Sequence, residues 1–374
     1  MDLGLDEAQQ MLKNSARAFL EAECPDTYVR EMEEDERGYT PELWQKMADQ
    51  GWLGLILPEQ YGGVGLTFLD LAILLEEMGR AMLPGPFFST AVMAGMTILD
   101  AGSESQKQEL LPRIAEGQLI LTLALTEPSA RWDAVGVETV AEASGDSYVI
   151  SGTKLFVPNA HVSDYIIVAA RTGKGDEDIS LFLVPRETDG VSQTMLKTIA
   201  SDRQSEIALD NVTVPSSALL GELNKGWETI RKVLQWGAVG KCAEMVGGSQ
   251  QVLDMTVEYA QQRVQFGRPI GSFQAIQHHC ANMATDVEGT RYITYQAAWR
   301  LAEGLPAEKD VATAKAWVSE AYRRVCALGH QCHGAIGFTK EHNMQLYSRR
   351  AKAAELAFGD ADFHLETVAE AIGL

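Results

Sequence analysis

The stretch ELAFGDADFH, residues 355–364, gathers Glu355, Asp360 and Asp362 around Phe358 and Gly359. A carboxylate in a partly apolar turn can serve as a general base once burial brings its pKa toward the working pH. The same residues at the end of a solvated helix do no chemistry. The segment RVQFGRPIGSFQAIQHHCANM, residues 263–283, is the densest in functional residue types. Arg263 can grip a pyrophosphate in bidentate fashion and Phe266 can lie against a flat ring. Gln274 and Gln277 follow a break at Gly267, Pro269 and Gly271. Physics alone favours a helix–turn–helix corner with a salt-bridged arginine. His278, His279 and Cys280 do not make a metal centre, because neighbouring side chains on a helix diverge by about 100°. In QCHGAIGF, residues 331–338, the glycines permit close backbone approach to a ligand or simply end a helix. No G-x-S-x-G, H-E-x-x-H or Ser/His/Asp arrangement stands out.

Three regimes of patterning must position these residues. Apolar positions recur every three or four residues over 1–120, as in LGLDEAQQMLKNSARAFLEAE and TFLDLAILLEEMGRAM, which predicts a helical domain. Short β-rich runs fill 121–220: LILTLALT, SYVISGTKLFV, DYIIVAA, ISLFLV and SEIALDNVTV. Turn clusters such as SGD and TGKGDED separate them, predicting a middle β-domain of antiparallel sheets. Long helical patterns return over 221–374, predicting a C-terminal helical domain, which the family resemblance given below implies is four-helix-bundle-like. Helices, then strands, then helices is an α+β layout in blocks. A nucleotide here does not use a Rossmann crevice, since no G-x-G-x-x-G follows a strand. ILPEQYGGVGLT lacks the P-loop lysine and reads as a tight loop entering a helix.

The chain has 374 residues and a formal net charge of −21, which argues against binding nucleic acid through its phosphates. Local basic groups such as Arg263, Arg268, Arg349 and Arg350 still allow an anionic small molecule. Five scattered cysteines without a C-x-x-C pair predict reduced thiols, with neither a disulfide framework nor a zinc site. No apolar run is long enough to span a bilayer. The N-terminal residues lack the basic and apolar regions of a secretory signal, so a cytoplasmic location is expected.

Together these segments resemble the acyl-CoA dehydrogenase family over nearly the full length. LPEQYGGVGL falls in the first domain, LTEPSA and SGTKLFVPNA in the second, and RVQFGRPIGSFQAIQH with Q-x-x-G-x-x-G-F in the third. The resemblance implies a flavoprotein tetramer with FAD held between the β-domain and the C-terminal helices and completed by a neighbouring subunit. It implies α,β-dehydrogenation of an acyl-CoA thioester. A carboxylate removes the α-proton, the β-hydride passes to flavin N5, and electron-transfer flavoprotein reoxidises the cofactor. By the same resemblance Arg263, Phe266 and Gln274 reach the FAD of a neighbouring subunit, and Gln331 and Gly334 approach its adenine and pyrophosphate. Thr126 contacts the flavin ring system and Phe156 packs on it.

The departures bear on chemistry. Arg131, Trp132 and Asp133 replace the usual G-S-D after T-E-P-x-A, and Phe156, Val157 and Pro158 replace Trp-Ile-Thr. Pro158 offers neither hydroxyl nor N–H. Counting from Gln331 without gaps, the commonest position of the catalytic glutamate holds Phe358, which cannot accept a proton. The family's alternative position falls on Gly237. Three readings follow: Asp360 or Glu355 acts as a displaced base on the same loop; Glu244, in KCAEMVGG, faces the site from a buried helix face; or another polypeptide supplies the base. The last describes α2β2 heterotetramers, including some acting on steroid side chains, in which this chain is a non-catalytic or half-site partner. The alternative to a homotetrameric enzyme is therefore a subunit that completes another chain's site.

Overall fold

A computed structural model describes residues 4–374. Six helices lead: α1 (Glu7–Glu23), α2 (Asp26–Glu34), α3 (Pro41–Asp49), α4 (Phe68–Arg80), α5 (Gly95–Ala101) and α6 (Glu104–Ala115). Eight strands follow: β1 (Leu121–Ala124), β2 (Val140–Ser144), β3 (Ser147–Pro158), β4 (Tyr165–Arg171), β5 (Ile179–Pro185), β6 (Val191–Leu196), β7 (Gln204–Pro215) and β8 (Leu219–Leu220). The chain then runs through α7 (Gly226–Gln262), the hairpin strands β9 (Val264–Gln265) and β10 (Arg268–Pro269), and helices α8 (Gln274–Ala302), α9 (Glu308–His333), α10 (Met344–Leu356) and α11 (Ala361–Ala371). This is the α+β block order that the periodicity predicts. Among the described residues no helix is long and apolar enough to cross a membrane.

The chain forms two compact units. One comprises the residues up to 31 with 67–83 and 238–374; the other comprises 32–66 and 84–237.

In the first unit, Asp6 and Gln9 close a capping box at the start of α1, and Thr67 and Asp70 do the same for α4. Helix α4 is buried on all sides, including Glu76 and Glu77. Those two acids are satisfied from outside the helix. Glu76 accepts from Lys13 at 2.7 Å and from the Tyr295 hydroxyl at 2.6 Å, and pairs with Arg291 at 3.3 Å; Glu77 takes a fork of two bonds from Arg17. Burial alone would raise the Glu76 carboxyl, but Lys13 and Arg291 hold it below the usual range. Helices α4 and α7 meet backbone to backbone through glycines. A Cβ on Gly79 would lie 2.0 Å from the Glu244 carbonyl oxygen, and one on Gly247 would lie 1.7 Å from that of Glu76. Neither position has room for a methyl group.

In the second unit the strands form one sheet, ordered β6-β7-β3-β2-β4-β5-β8, with β1 beside β4. Its core includes Ile150, Val168, Phe182, Ile207 and Val212. The expectation of purely antiparallel sheets needs correction, because β1 pairs with β4 in parallel from Leu121↔Tyr165 onward, and β2 touches β4 in parallel. The hairpin of β2 and β3 intervenes between β1 and β4, giving the long return connection that a parallel pair requires. Strands β2 and β6 escape the sequence reading because they carry few buried positions and so show little apolar alternation.

Candidate active site

The turn between α10 and α11 carries the residues that opened the sequence reading. Helix α10 ends at Leu356, and Phe358 and Gly359 then take left-handed conformations, with φ of 59° and 90°. Asp360 caps α11: its Oδ1 accepts from the backbone N–H of Phe363 at 3.0 Å. Asp362 is exposed in the first turn of α11, the solvated helix-end case. Glu355 is the buried member, with its side chain 9% exposed. Its Oε1 accepts from Lys352 at 3.2 Å with the Arg323 guanidinium at 3.8 Å, while Oε2 is buried with no hydrogen-bond partner.

Glu244 differs from its expected setting. The side chain is only half-buried and pairs with Lys241 one turn earlier on α7. Of the glycines that make this face of α7 read as buried, Gly247 admits the backbone of α4 and Gly248 admits Tyr322, while the carboxylate stays at the edge beside its own cation.

Two groups that the sequence reading missed organise the turn. Lys315, on α9, is wholly buried, and its Nζ donates to Ser319 Oγ at 3.0 Å, to the Glu355 carbonyl at 2.9 Å and to the Gly359 carbonyl at 2.8 Å. Burial lowers this amine to about 8, against smaller opposing effects from Cys242, Asp360 and Glu355. His364, on α11, places Nε2 at 2.8 Å from the Phe358 carbonyl, so that nitrogen carries the proton. Burial lowers this imidazole to about 4. A signal for Lys315 was present: Val311, Lys315, Val318 and Tyr322 follow one helical stripe, and all four are buried.

The cofactor candidates of the helical unit collect at one end of its long helices. After α7 the chain makes a two-residue hairpin with Phe266 and Gly267 at its tip, both at positive φ. Phe266 is 92% exposed. Arg263 and Gln274 are exposed beside it, and among the described residues the Arg263 guanidinium has no ion pair. The salt-bridged corner favoured by physics alone is therefore not formed by this arginine. Gln331 is exposed near the end of α9, and Gly334 ends that helix at a φ of 67°. Tyr259, near the end of α7, stacks on His333 with ring centroids 4.6 Å apart, which brings the two helix ends together.

Thr126 and Phe156 also come together, in the sheet unit. The Thr126 carbonyl accepts from Leu155 N–H at 2.8 Å. Between Lys154 and Val157 the β3–β7 register shifts, and Phe156 sits in that bulge at φ 54°, 53% exposed. A third missed group underlies this surface. Lys154 is fully buried, with Nζ 2.6 Å from Glu127 Oε1, and Glu127 also accepts from the N–H groups of Glu138 and Thr139. Burial lowers Lys154 to about 8 even beside that carboxylate. The Pro158 carbonyl accepts from Thr122 Oγ1 at 2.6 Å, so this residue serves the sheet through its oxygen.

A mostly antiparallel sheet in one unit and long helices in the other make this an α+β protein. Three family models match in order: the acyl-CoA dehydrogenase N-terminal domain over 6–118, the middle domain over 122–212 and the C-terminal domain over 224–373. The chain belongs to the acyl-CoA dehydrogenase family. It is 35% identical to the probable acyl-CoA dehydrogenase YngJ of Bacillus subtilis, covering 99% of both chains. It is 34% identical to the caffeyl-CoA reductase-Etf complex subunit CarC of Acetobacterium woodii, over 91% of each. Among solved structures, one chain of the ChsE4-ChsE5 complex from Mycobacterium tuberculosis superposes with a TM-score of 0.91 at 31% identity, covering 100% of this chain and 99% of that one.

Proposed function

We propose that this protein is an FAD-dependent acyl-CoA dehydrogenase acting between the α and β carbons of a CoA thioester. The observation that carries the reading is the full-length, in-order match to all three family domains. The residues present fit the cofactor. Among the described residues Arg263 has no ion pair, which suits it to a diphosphate, and Phe266 in the helical unit and Phe156 in the sheet unit are each exposed flat side chains of a kind that packs on a planar ring. Thr126, Phe156, Arg263, Phe266, Gln274, Gln331 and Gly334 are the residues proposed to hold it. When bound, FAD supplies the acceptor for the β-hydride. On this reading the chain supplies the acceptor for the α-proton, and of its candidates Asp360 takes first place: it lies on the turn of position 358, and only Oδ1 is engaged, in capping α11. Glu244 and Glu355 rank behind it because each already pairs with a lysine.

A second reading rests on Phe358. A side chain without a titratable group at the family's base position suits a half-site subunit of an α2β2 assembly, and the similarity to a heteromeric complex points the same way. Electron-transfer flavoprotein is the proposed electron acceptor in either case.

The test is expression of the full chain alone and together with a homologous chain encoded by a neighbouring gene, followed by anaerobic titration with a panel of acyl-CoA thioesters. A yellow homotetramer bleached by at least one thioester supports the first reading. A product that binds flavin and bleaches only with its partner supports the second. Absence of flavin from both preparations sinks the assignment.

A further inference from the structure

We infer that Lys315 is a positioning residue for the acyl site, holding the turn 355–360 from outside the turn's own backbone; its importance for turnover rests on the function proposed above. The last carbonyls of a helix lack intrahelical partners, and a cation there is favourable. At the end of α10 the Lys315 ammonium takes the Glu355 carbonyl and, across the turn, that of Gly359. His364 takes the carbonyl between them in the turn, that of Phe358. Three carbonyls within five residues are thus bound by side chains of α9 and α11. The turn needs such external ties. Phe358 sits at positive φ, a conformation unfavourable for a residue with a Cβ that persists only when its surroundings impose it.

The chemistry of the clamp also fixes its response to pH. An ammonium has three N–H bonds, and Lys315 has three acceptors. After deprotonation the amine keeps two N–H bonds for the two carbonyls, and the Ser319 hydroxyl can reverse and donate to the nitrogen lone pair. The facing titratable or charged groups are Cys242 and Lys241 from α7, Glu355 and Asp360 from the turn and its flanks, and His364 from α11. None of them needs to move. The turn therefore stays tied on both sides of the lysine's titration.

The test uses hydrogen exchange of the full-length holoprotein, reading the peptide over 355–365 with peptides from α8 as reference, alongside anaerobic flavin reduction by an acyl-CoA. In Lys315→Met, exchange over 355–365 should rise by about tenfold or more, the scale of one lost hydrogen bond to a charged group, with α8 unchanged. Flavin reduction should slow by a similar factor while the bound flavin and its visible spectrum are retained. If Lys315→Met does not fold, His364→Ala releases only the Phe358 carbonyl and should loosen the same peptide. In the unsubstituted protein the turn should open no more readily, relative to α8, at pH 9 than at pH 7. Unchanged exchange in the variants, an equal rise throughout the bundle, or a turn that opens in the unsubstituted protein above pH 8 would overturn the inference. The exchange arm is independent of turnover, so a protein that never reduces its flavin still tests the clamp and fails only the proposed function.

Discussion

Lys154 Nζ lies 2.6 Å from Glu127 Oε1, with the two side chains 0% and 2% exposed. The pair ties strand β3 to the segment carrying Thr126, and through Glu127 to the backbone of Glu138 and Thr139. Removing one member strands a buried charge, which costs far more than the pair contributes. Lys154→Met should destabilise the protein by about 3–5 kcal/mol, and Glu127→Gln added to it should restore more than half of that. Urea denaturation of the two variants checks this; a double variant no better than the single one would show that the pair is not coupled.

The Lys315 amine is lowered from 10.5 to about 8 in the folded protein by burial. Below pH 8 both states carry the proton. Between pH 8 and 10.5 the unfolded chain holds more protons than the native one, so stability rises with pH across that window. Relative to Lys315→Met, the unsubstituted protein should gain about 3 kcal/mol over it. Denaturation midpoints of both proteins at pH 7, 8, 9 and 10 give the comparison, and parallel curves would contradict it.

His364 behaves in the opposite range. Its imidazole falls from 6.5 to about 4 on folding, chiefly through burial. The unfolded chain takes up the proton first as pH falls from 6.5 to 4, and stability is lost over that interval. His364→Gln should abolish about 3 kcal/mol of this acid sensitivity, read as a flatter stability curve between pH 7 and 4.

Among the carboxylates, Asp360→Asn should slow substrate-driven flavin reduction by about a hundredfold or more. Glu244→Gln and Glu355→Gln should remain within about tenfold. If all three variants reduce flavin at nearly the starting rate, the proton acceptor belongs to another chain, and mixing with the partner subunit becomes the deciding measurement.

The block order of helices, sheet and helices was legible because each regime has its own apolar period, and the ordered motifs placed the family. The parallel pairing of β1 with β4 was not, since strand direction depends on partners about forty residues away. Lys154 shares the strand phase of buried Ile150, and Lys315 shares the helical stripe of Val311 and Val318, so both buried amines left a trace in the periodicity. Their acceptors are another matter. The carbonyls of Glu355 and Gly359 carry no sequence signature, because every residue has one. Glu244 misled for a related reason: neighbouring glycines mark where a backbone comes close, and say nothing about which way an adjacent side chain leaves the helix.

The Phe266–Gly267 hairpin tip carries a further cost. It holds Phe266 at positive φ with its ring exposed to water and meeting the Phe273 ring edge-on, 6.1 Å between centroids. An exposed apolar ring of this kind is a ready point of attachment for another apolar surface.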